Sequence, residues 1–359
     1  MSLTQHEIAS QLGISRGTLH RILSGSPLVK EATRERVTRE LKRLNYVPNF
    51  IARGLKMKRT ETIGIIGPAA MKMANIDKLN ALHLAARKLG YSVMIGYSDG
   101  SPEEDARCIQ ELRARMVDGF IGLGRGLPEN VPNYKNLQDA GVPFVTLYPM
   151  PGFEADCVYV DTRQAYCTLT SHLIAQGHTG IGLLLEASAS QYSINRELGF
   201  RDAMAAAKLP VVEDWIVHVT PDGSSEVDPR NDANSVWRVS DYQYGFWGAS
   251  LVLAKRKRPT ALVCFSDEFA IGALRAADLA GIRVPEELAI VGYDDKECAK
   301  FARVPLTTMH QPDEILGKEA IALLINRISG KLPDKPVVRP LKARLVIRES
   351  CGARRGKAC

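Results

Sequence analysis

Apolar residues recur along the chain with two different periods, and the change falls near Thr60. Ahead of it, Ile8, Ala9 and Leu12 share one helical face behind Thr4-Gln5-His6-Glu7, which has capping-box spacing. Gly13 is the residue best suited to end that helix. Ser15 is placed to cap a second helix carrying Thr18, Leu19, Ile22 and Leu23, which Gly25-Ser26-Pro27 breaks. A third helix is expected from about Lys30 to Leu44, burying Val37, Leu41 and Leu44. Two short helices around a glycine turn, with a third as support, predict an all-α helix-turn-helix unit over residues 1–46. A plain piece of helical bundle is the alternative.

Beyond Thr60 short apolar runs alternate with helical periods. Strands are expected at 62–67, 92–97, 117–123 and 143–148, with helices near Asn75–Leu89, Glu103–Arg115 and Asn133–Ala140 between them. The series then restarts with helices over Arg163–Ala175, Ile194–Ala206, Tyr244–Lys255 and Glu268–Ala280, and strands at 180–186, 215–219, 261–265 and 288–293. Continuous apolar strands separated by helices mean parallel sheet. The fold class is therefore α/β beyond the first unit, with two lobes in residues 61–350, each on its own sheet. The polar stretch 222–240 reads as a surface loop or insertion, and 351–359 as a basic tail whose end, from Ala353, is expected to be disordered.

Between the two regimes lies Tyr46–Arg59, YVPNFIARGLKMKR. Pro48 disfavours helix at Val47 but suits a first helical turn. Ile51, Ala52 and Leu55 then share a face, with Arg53, Lys56 and Lys58 outside it. So short a helix needs a partner to order it, and its cations point to a polyanion. The other reading of 47–60 is a solvated linker.

Composition narrows the class. A hydrophobic content of 45% with 24% charged residues describes an ordinary soluble globular protein. No run of eighteen apolar residues exists and the N-terminus is polar, so neither a membrane span nor a signal peptide is expected. Seven scattered cysteines without a CxxC argue for reduced thiols in a cytoplasm, with no disulfide framework and no metal site. The net charge of +7 divides unevenly: residues 1–60 hold 12 Lys/Arg against 4 Asp/Glu, and the other 299 hold 35 against 36. All the excess lies in the first unit, which is the footprint of a nucleic-acid-binding module on a neutral body.

Several runs together resemble the lactose-repressor (LacI/GalR) family of transcription regulators, from about Thr4 to Ser350. They are IASQLGISRGTLHRILSGSPLVKEATRERV (8–37), LNYVPNFIARGLK (44–56), DGFIGL (118–123), HLIAQGHTGIGLL (172–184), RELGF (196–200), SDEFAIGAL (266–274), VGYDD (291–295) and PLTTMHQP (305–312). Their order and spacing carry the likeness, since no single run does. The resemblance implies a homodimer whose helix-turn-helix units enter successive major grooves of a pseudo-palindromic operator, most often as a repressor. Hinge helices like 48–56 would pair over the central minor groove. It also implies lobes of the periplasmic-binding-protein type, with a small effector between them and three crossings near Tyr159–Thr162, Val291–Asp294 and Ala320–Ile325. The N-lobe would then hold about 61–160 and 294–322, and the C-lobe about 162–291 and 324–350.

By the same resemblance Arg16, Gly17 and Arg21 occupy base-reading positions. An arginine can donate twice to guanine, for ~1–3 kcal/mol of discrimination, although most contacts to DNA are to phosphate. Gly17 offers no side chain, so its position is silent or lets Arg16 approach. Thr18 and His20 would more naturally meet phosphates, or His20 is merely exposed; Asn49 and Lys58 are placed at the DNA backbone and Ala52 and Leu55 at the minor groove, with Asn49 and Ala52 also packing the hinge pair. There Leu55 is a wedge between base pairs, or else packs against its dimer mate or lobe. For the effector, Arg196 and Asp294 are the main carry-overs, with Asp161, Gln311, Asn75 and Ser266 nearby; an ion pair bracing the cleft is the other role for Arg196. The chain departs from the family where Lys72-Met73-Ala74-Asn75 replaces the usual Asn-Pro-Phe-Phe and Ser266 the usual Asn. Ser240 replaces an aromatic, for which Trp237 or Tyr242 could substitute. The family default is a carbohydrate-related metabolite; a regulator with no effector is the other reading.

Two further classes were weighed. A periplasmic-type solute-binding protein accounts for the lobes but leaves residues 1–60 idle and lacks an export signal. A nucleotide-dependent enzyme would need more than Gly64-Ile-Ile-Gly67-Pro68, which misses the third glycine of a dinucleotide fingerprint. No catalytic residue and no cofactor are expected.

Overall fold

The computed structural model describes residues 5–23, 26–44, 46, 59–68, 73–98, 100–124, 126–188, 190–220 and 240–352. The expected hinge helix, with Asn49, Ala52, Leu55 and Lys58, lies outside them, as do Thr4, Trp237 and the tail from Ala353. The chain separates into two compact units, Met1–Thr60 and Glu61–Cys359.

In the first unit α1 (Gln5–Gln11), α2 (Arg16–Leu23) and α3 (Glu31–Arg43) enclose Ile8, Ala9, Leu12, Leu19, Ile22, Val37 and Leu41. The α1–α2 turn follows from two residues. Gly13 takes a φ of 62°, which a side chain would resist, and the Ser15 hydroxyl accepts from the Thr18 N–H at 3.0 Å to cap α2.

In the second unit the first sheet has strand order β11-β5-β4-β3-β1-β2. Its strands are β1 (Thr62–Pro68), β2 (Ser92–Ser98), β3 (Gly119–Gly122), β4 (Phe144–Thr146), β5 (Cys157–Val160) and β11 (Val338–Leu341), all parallel. Helices α4 (Met73–Lys88), α5 (Pro102–Ala114), α6 (Val131–Asp139) and α12 (Asp313–Ile328) belong to this lobe, and α12 packs along α4. The second sheet runs β7-β6-β8-β9, from β6 (Ile181–Glu186), β7 (Ile216–Val219), β8 (Ala261–Cys264) and β9 (Ala289–Val291), again parallel. Around it lie α7 (Thr162–Ala175), α8 (Gln191–Ala206), α9 (Asp241–Leu253), α10 (Asp267–Leu279) and the short α11 (Glu297–Phe301).

Two expected crossings are corrected. Residues 292–294 do not leave the second lobe: the N–H groups of Gly292 and Asp294 bond to the Thr307 and Met309 carbonyls, each at 2.9 Å. Met309 is buried in that lobe's core, on β10 (Thr308–His310). Ala320–Ile325 is not a strand but the middle of α12, burying Ala320, Ile321, Leu323 and Leu324 against the first sheet. Arg327 then locks that helix to Asp156 with two bonds of 2.7 Å. A short apolar run reads alike in strand and buried helix, so the pattern could not separate them. The chain passes between lobes after β5, between His310 and Asp313, and between β11 and β12 (Arg344–Val346), which pairs with β10. The N-lobe therefore regains 313–341, and 294–310 stays with the C-lobe.

The tail also begins later than expected. Cys351 is buried, within reach of His172 at 3.3 Å and the Thr307 hydroxyl at 3.0 Å. Ser240, which stands where an aromatic was looked for, forms a capping box with Gln243 at the head of α9.

α9 crosses α10 through two glycines. A Cβ on Gly272 would lie 2.0 Å from the Tyr242 carbonyl oxygen, and one on Gly245 2.0 Å from that of Phe269. Gly272→Ala is expected to destabilise the protein by roughly 2–4 kcal/mol, since backbone must move to admit one methyl. Chemical denaturation measures it, and a change under about 0.5 kcal/mol would show that the helices part easily.

Candidate functional site

On α2 the burial of Leu19 and Ile22 sets the rotation of the helix. Arg16, Gly17 and Arg21 are left exposed, with Thr18 and His20 half-buried beside them. Thr18 also shares a hydrogen bond of 2.9 Å with the Ser15 hydroxyl, so it serves the helix cap. Gly17 is not required by packing: a Cβ there would meet nothing closer than the Ser15 hydroxyl at 3.7 Å. This face can hold a polyanion through cations and present side chains to base edges.

The second unit brings Arg196 into an aromatic box between its lobes' ends. Arg196 sits on α8 and is 6% exposed, and its Nε donates to the Tyr166 hydroxyl of α7 at 3.1 Å. Its guanidinium lies over the Phe265 ring at 4.0 Å, with the rings of Tyr293, Tyr192 and Tyr166 at 5.2, 5.3 and 5.5 Å. Burial pushes the Tyr192 hydroxyl up to about 12 and raises Tyr293 well above its ordinary value.

Asp294 follows β9 with a φ of 114°, a conformation few side chains adopt. Gln311 Nε2 donates to its Oδ1. Burial raises the Asp294 carboxyl, while Lys296, Lys78 and Arg196 pull it down. Across the cleft α4 supplies Asp77 and Lys78, and α12 supplies Asp313. Lys296 Nζ reaches Asp77 at 2.6 Å and Asp313 at 3.5 Å, and Lys78 reaches Asp313 at 3.7 Å. Ionic contacts thus bridge the lobes, and they rest on Asp267. Its carboxylate accepts from the Lys296 N–H at 2.7 Å and the Thr308 hydroxyl at 2.6 Å.

The remaining expected residues are placed differently. Asp161 caps α7 by accepting from the Gln164 N–H at 3.0 Å. Ser266 caps α10 through the Phe269 N–H at 3.2 Å. Asn75 is half-buried in the first turn of α4, one turn before Lys78. Beside Tyr192 a narrow cleft of ≈ 10 Å³, room for about one water, lies between Tyr148, Pro149 and Tyr159 on one side and Gln191, Tyr192 and Asn195 on the other. Sequence reasoning missed Lys78, Lys296, Asp267 and the four rings. A lysine in an otherwise amphipathic helix carries no signal of burial, and the rings come from four separate segments.

Next to Ser266, burial pushes the Glu268 carboxyl up to about 7, with Asp294 adding to it. Its folded value lies above the usual 4.5, so its share of stability is full below 4.5 and is lost as pH rises through 7. Raising pH from about 5 to 8 is expected to lower the melting temperature, and Glu268→Gln to shallow that slope by on the order of 2–3 kcal/mol. Identical slopes in the two proteins would show that Glu268 is charged throughout.

Among the described residues no cluster of His, Cys, Asp or Glu is placed to hold a metal, and no helix is long and apolar enough to cross a membrane.

Comparison with known proteins bears on both units. Residues 4–49 match the profile of bacterial regulatory proteins of the lacI family. Residues 60–229 match periplasmic binding proteins and the sugar binding domain of the LacI family, and 170–351 a periplasmic binding protein-like domain. The HTH-type transcriptional repressor PurR of Vibrio parahaemolyticus serotype O3:K6 is 30% identical over 348 residues, 97% of this chain and 98% of that protein. PurR of Vibrio cholerae serotype O1 is 30% identical over 337 residues, 93% of this chain and 94% of that one. Among solved structures, the transcriptional regulator CelR–cellobiose complex superposes with a TM-score of 0.68 at 28% identity, covering 97% of this chain and 99% of that one. The Lac repressor dimer bound to operator and the anti-inducer ONPF gives 0.84 at 24% identity, covering 98% and 100%, and supports the fold. A basic helix-turn-helix unit, a two-lobed α/β body and relatives matched over nearly their whole length lead to one conclusion: this protein is a DNA-binding transcription regulator that belongs to the LacI family.

Proposed function

We propose that the protein is a cytoplasmic repressor that binds a pseudo-palindromic operator as a homodimer and answers to a small metabolite in the cleft. The observation that carries the DNA reading is α2, whose buried Leu19 and Ile22 leave Arg16, Gly17 and Arg21 facing outward on the basic unit. Arg16 and Arg21 then read guanine edges, and Gly17 leaves its base unread. Thr18, His20, Asn49 and Lys58 meet phosphates, while Ala52 and Leu55 enter the minor groove, Leu55 as the wedge. For a second copy, Ile76 and Leu84 of α4 and Ile95 and Tyr97 of the edge strand β2 expose apolar surface. Arg196, Asp294 and Gln311 contact the effector from the C-lobe side, with Asn75 opposite. Asp161 and Ser266 act through the helices they cap. CelR was solved with cellobiose, which favours a carbohydrate-related effector here.

The test is selection on randomised operators. Arg21→Ala should lose preference at one symmetric base pair of each half-site, by ~1–3 kcal/mol. Lys58→Ala should weaken all sequences about equally, with a shallower salt dependence. Unchanged preferences in Arg21→Ala would make that arginine a phosphate contact only.

A further inference from the structure

Lys296 belongs to the C-lobe, just beyond β9, yet its ammonium is paired in the N-lobe. Its Nζ lies 2.6 Å from Asp77 Oδ2 on α4 and 3.5 Å from Asp313 Oδ2 at the head of α12. The C-lobe fixes that aim. The Asp267 carboxylate accepts the Lys296 N–H at 2.7 Å, and the preceding Asp295 accepts from Arg348 at 2.5 Å and lies 3.0 Å from His310 Nδ1. The N-lobe fixes the other end, since α12 packs along α4 and Arg327 ties α12 to Asp156. A second contact crosses elsewhere: the Tyr192 hydroxyl of α8 donates to the Leu147 carbonyl of the N-lobe at 3.4 Å. The cleft's charges answer one another, because Asp294 and Asp313 stand among Lys78, Lys296 and Arg196. Burial would lower the Lys296 amine, but Asp294, Asp313 and Asp77 raise it to about 12, so it is an ammonium at neutral pH.

We infer that Lys296 and Asp77 form a latch that holds the two lobes together in the ligand-free protein. The pair suits a reversible contact. The Lys296 side chain is 4% exposed and that of Asp77 50%, so water reaches one end of it. Closing strips water from the ammonium and opening returns it, and a desolvated ion pair gains little net free energy after that cost. The closed arrangement is therefore held by a small margin, which a ligand or DNA overrides by binding one arrangement better than the other. The latch goes beyond the effector cleft proposed above, since it works with no ligand bound. An effector then acts on a cleft that the chain's own ions have already shut.

Two measurements on the full, ligand-free chain test it. In the first, a carbodiimide activates the Asp77 carboxylate; the Lys296 nitrogen attacks the acyl carbon, loses protons to solvent and expels the urea, leaving an amide. Mass spectrometry should find the 77–296 cross-link. Its absence, while the exposed pair Lys135–Asp139 at 3.1 Å does couple, overturns the latch. The second measures affinity for an operator recovered from random-sequence DNA, with no effector added. Asp77→Asn and Lys296→Met change the net charge in opposite directions, so bulk electrostatics alone would shift DNA affinity in opposite directions. Loss of the latch shifts both the same way, by about 5-fold or more in Lys296→Met. The shift is smaller in Asp77→Asn, which leaves Asp313 within reach of Lys296. Opposite shifts, or an unchanged affinity in Lys296→Met, overturn the latch. Should Lys296→Met fail to fold, the half-exposed Asp77→Asn and the cross-link decide. A parent that binds no DNA fails the operator reading, and the cross-link then decides the latch by itself.

Discussion

Residues 61–359 prepared alone will fold with intact cores and fail to retard operator DNA at concentrations that saturate the full chain. The body's cores are built from its own residues, and it divides from the first unit at Thr60. Its charge is near neutral, with 35 Lys/Arg against 36 Asp/Glu, so it has little to attract phosphate. The first unit holds the whole positive excess, and binding through it releases counterions. For six to ten phosphate contacts, affinity falls roughly 10³–10⁵-fold between 50 and 200 mM salt. The full chain should show such a slope in a filter or fluorescence assay, and the fragment should show no binding to which a slope applies. A fragment that still shifts the operator would sink the assignment of DNA binding to residues 1–60.

Asp267→Ala will be among the most destabilising single changes in the body, by roughly 3–5 kcal/mol. Asp267 is 0% exposed, and its carboxylate takes the Lys296 N–H and the Thr308 hydroxyl. Its own N–H bonds to the Tyr293 carbonyl at 2.8 Å. Removing the carboxylate strands two buried donors, each worth about 1–3 kcal/mol, and leaves a small cavity. The loss also reaches the lobe bridge, because Lys296 is aimed at Asp77 and Asp313 by the backbone that Asp267 holds. Burial and the nearby Asp294 push the Asp267 carboxyl up while the two donors oppose them, so Asp267→Asn should recover part of the loss. Urea melts of the two variants decide it, and an Asp267→Ala protein within about 1 kcal/mol of the parent would mean that water replaces the carboxylate.

The sequence by itself determined the order of elements as far as β9, apart from β5, together with the class of both units and the seat of the charge. These are local quantities. Helical and strand periods differ within a few residues, Gly13 and Ser15 end and start helices by their own chemistry, and charge needs only counting. Arg196, Asp294 and Gln311 were legible through the runs that contain them. Where lobes exchange strands was not legible: Ala320–Ile325 and Val338–Leu341 are both short apolar stretches, and the helix or strand they form depends on what packs beside them. The cleft's charge balance was decided by tertiary structure alone. Asp77, Lys78, Lys296 and Asp313 look like surface charges in the chain, yet lobe contact buries the two lysines almost completely. Burial multiplies the worth of every partner, so the pairing of Lys296 with Asp77 became visible only once both lobes were in place.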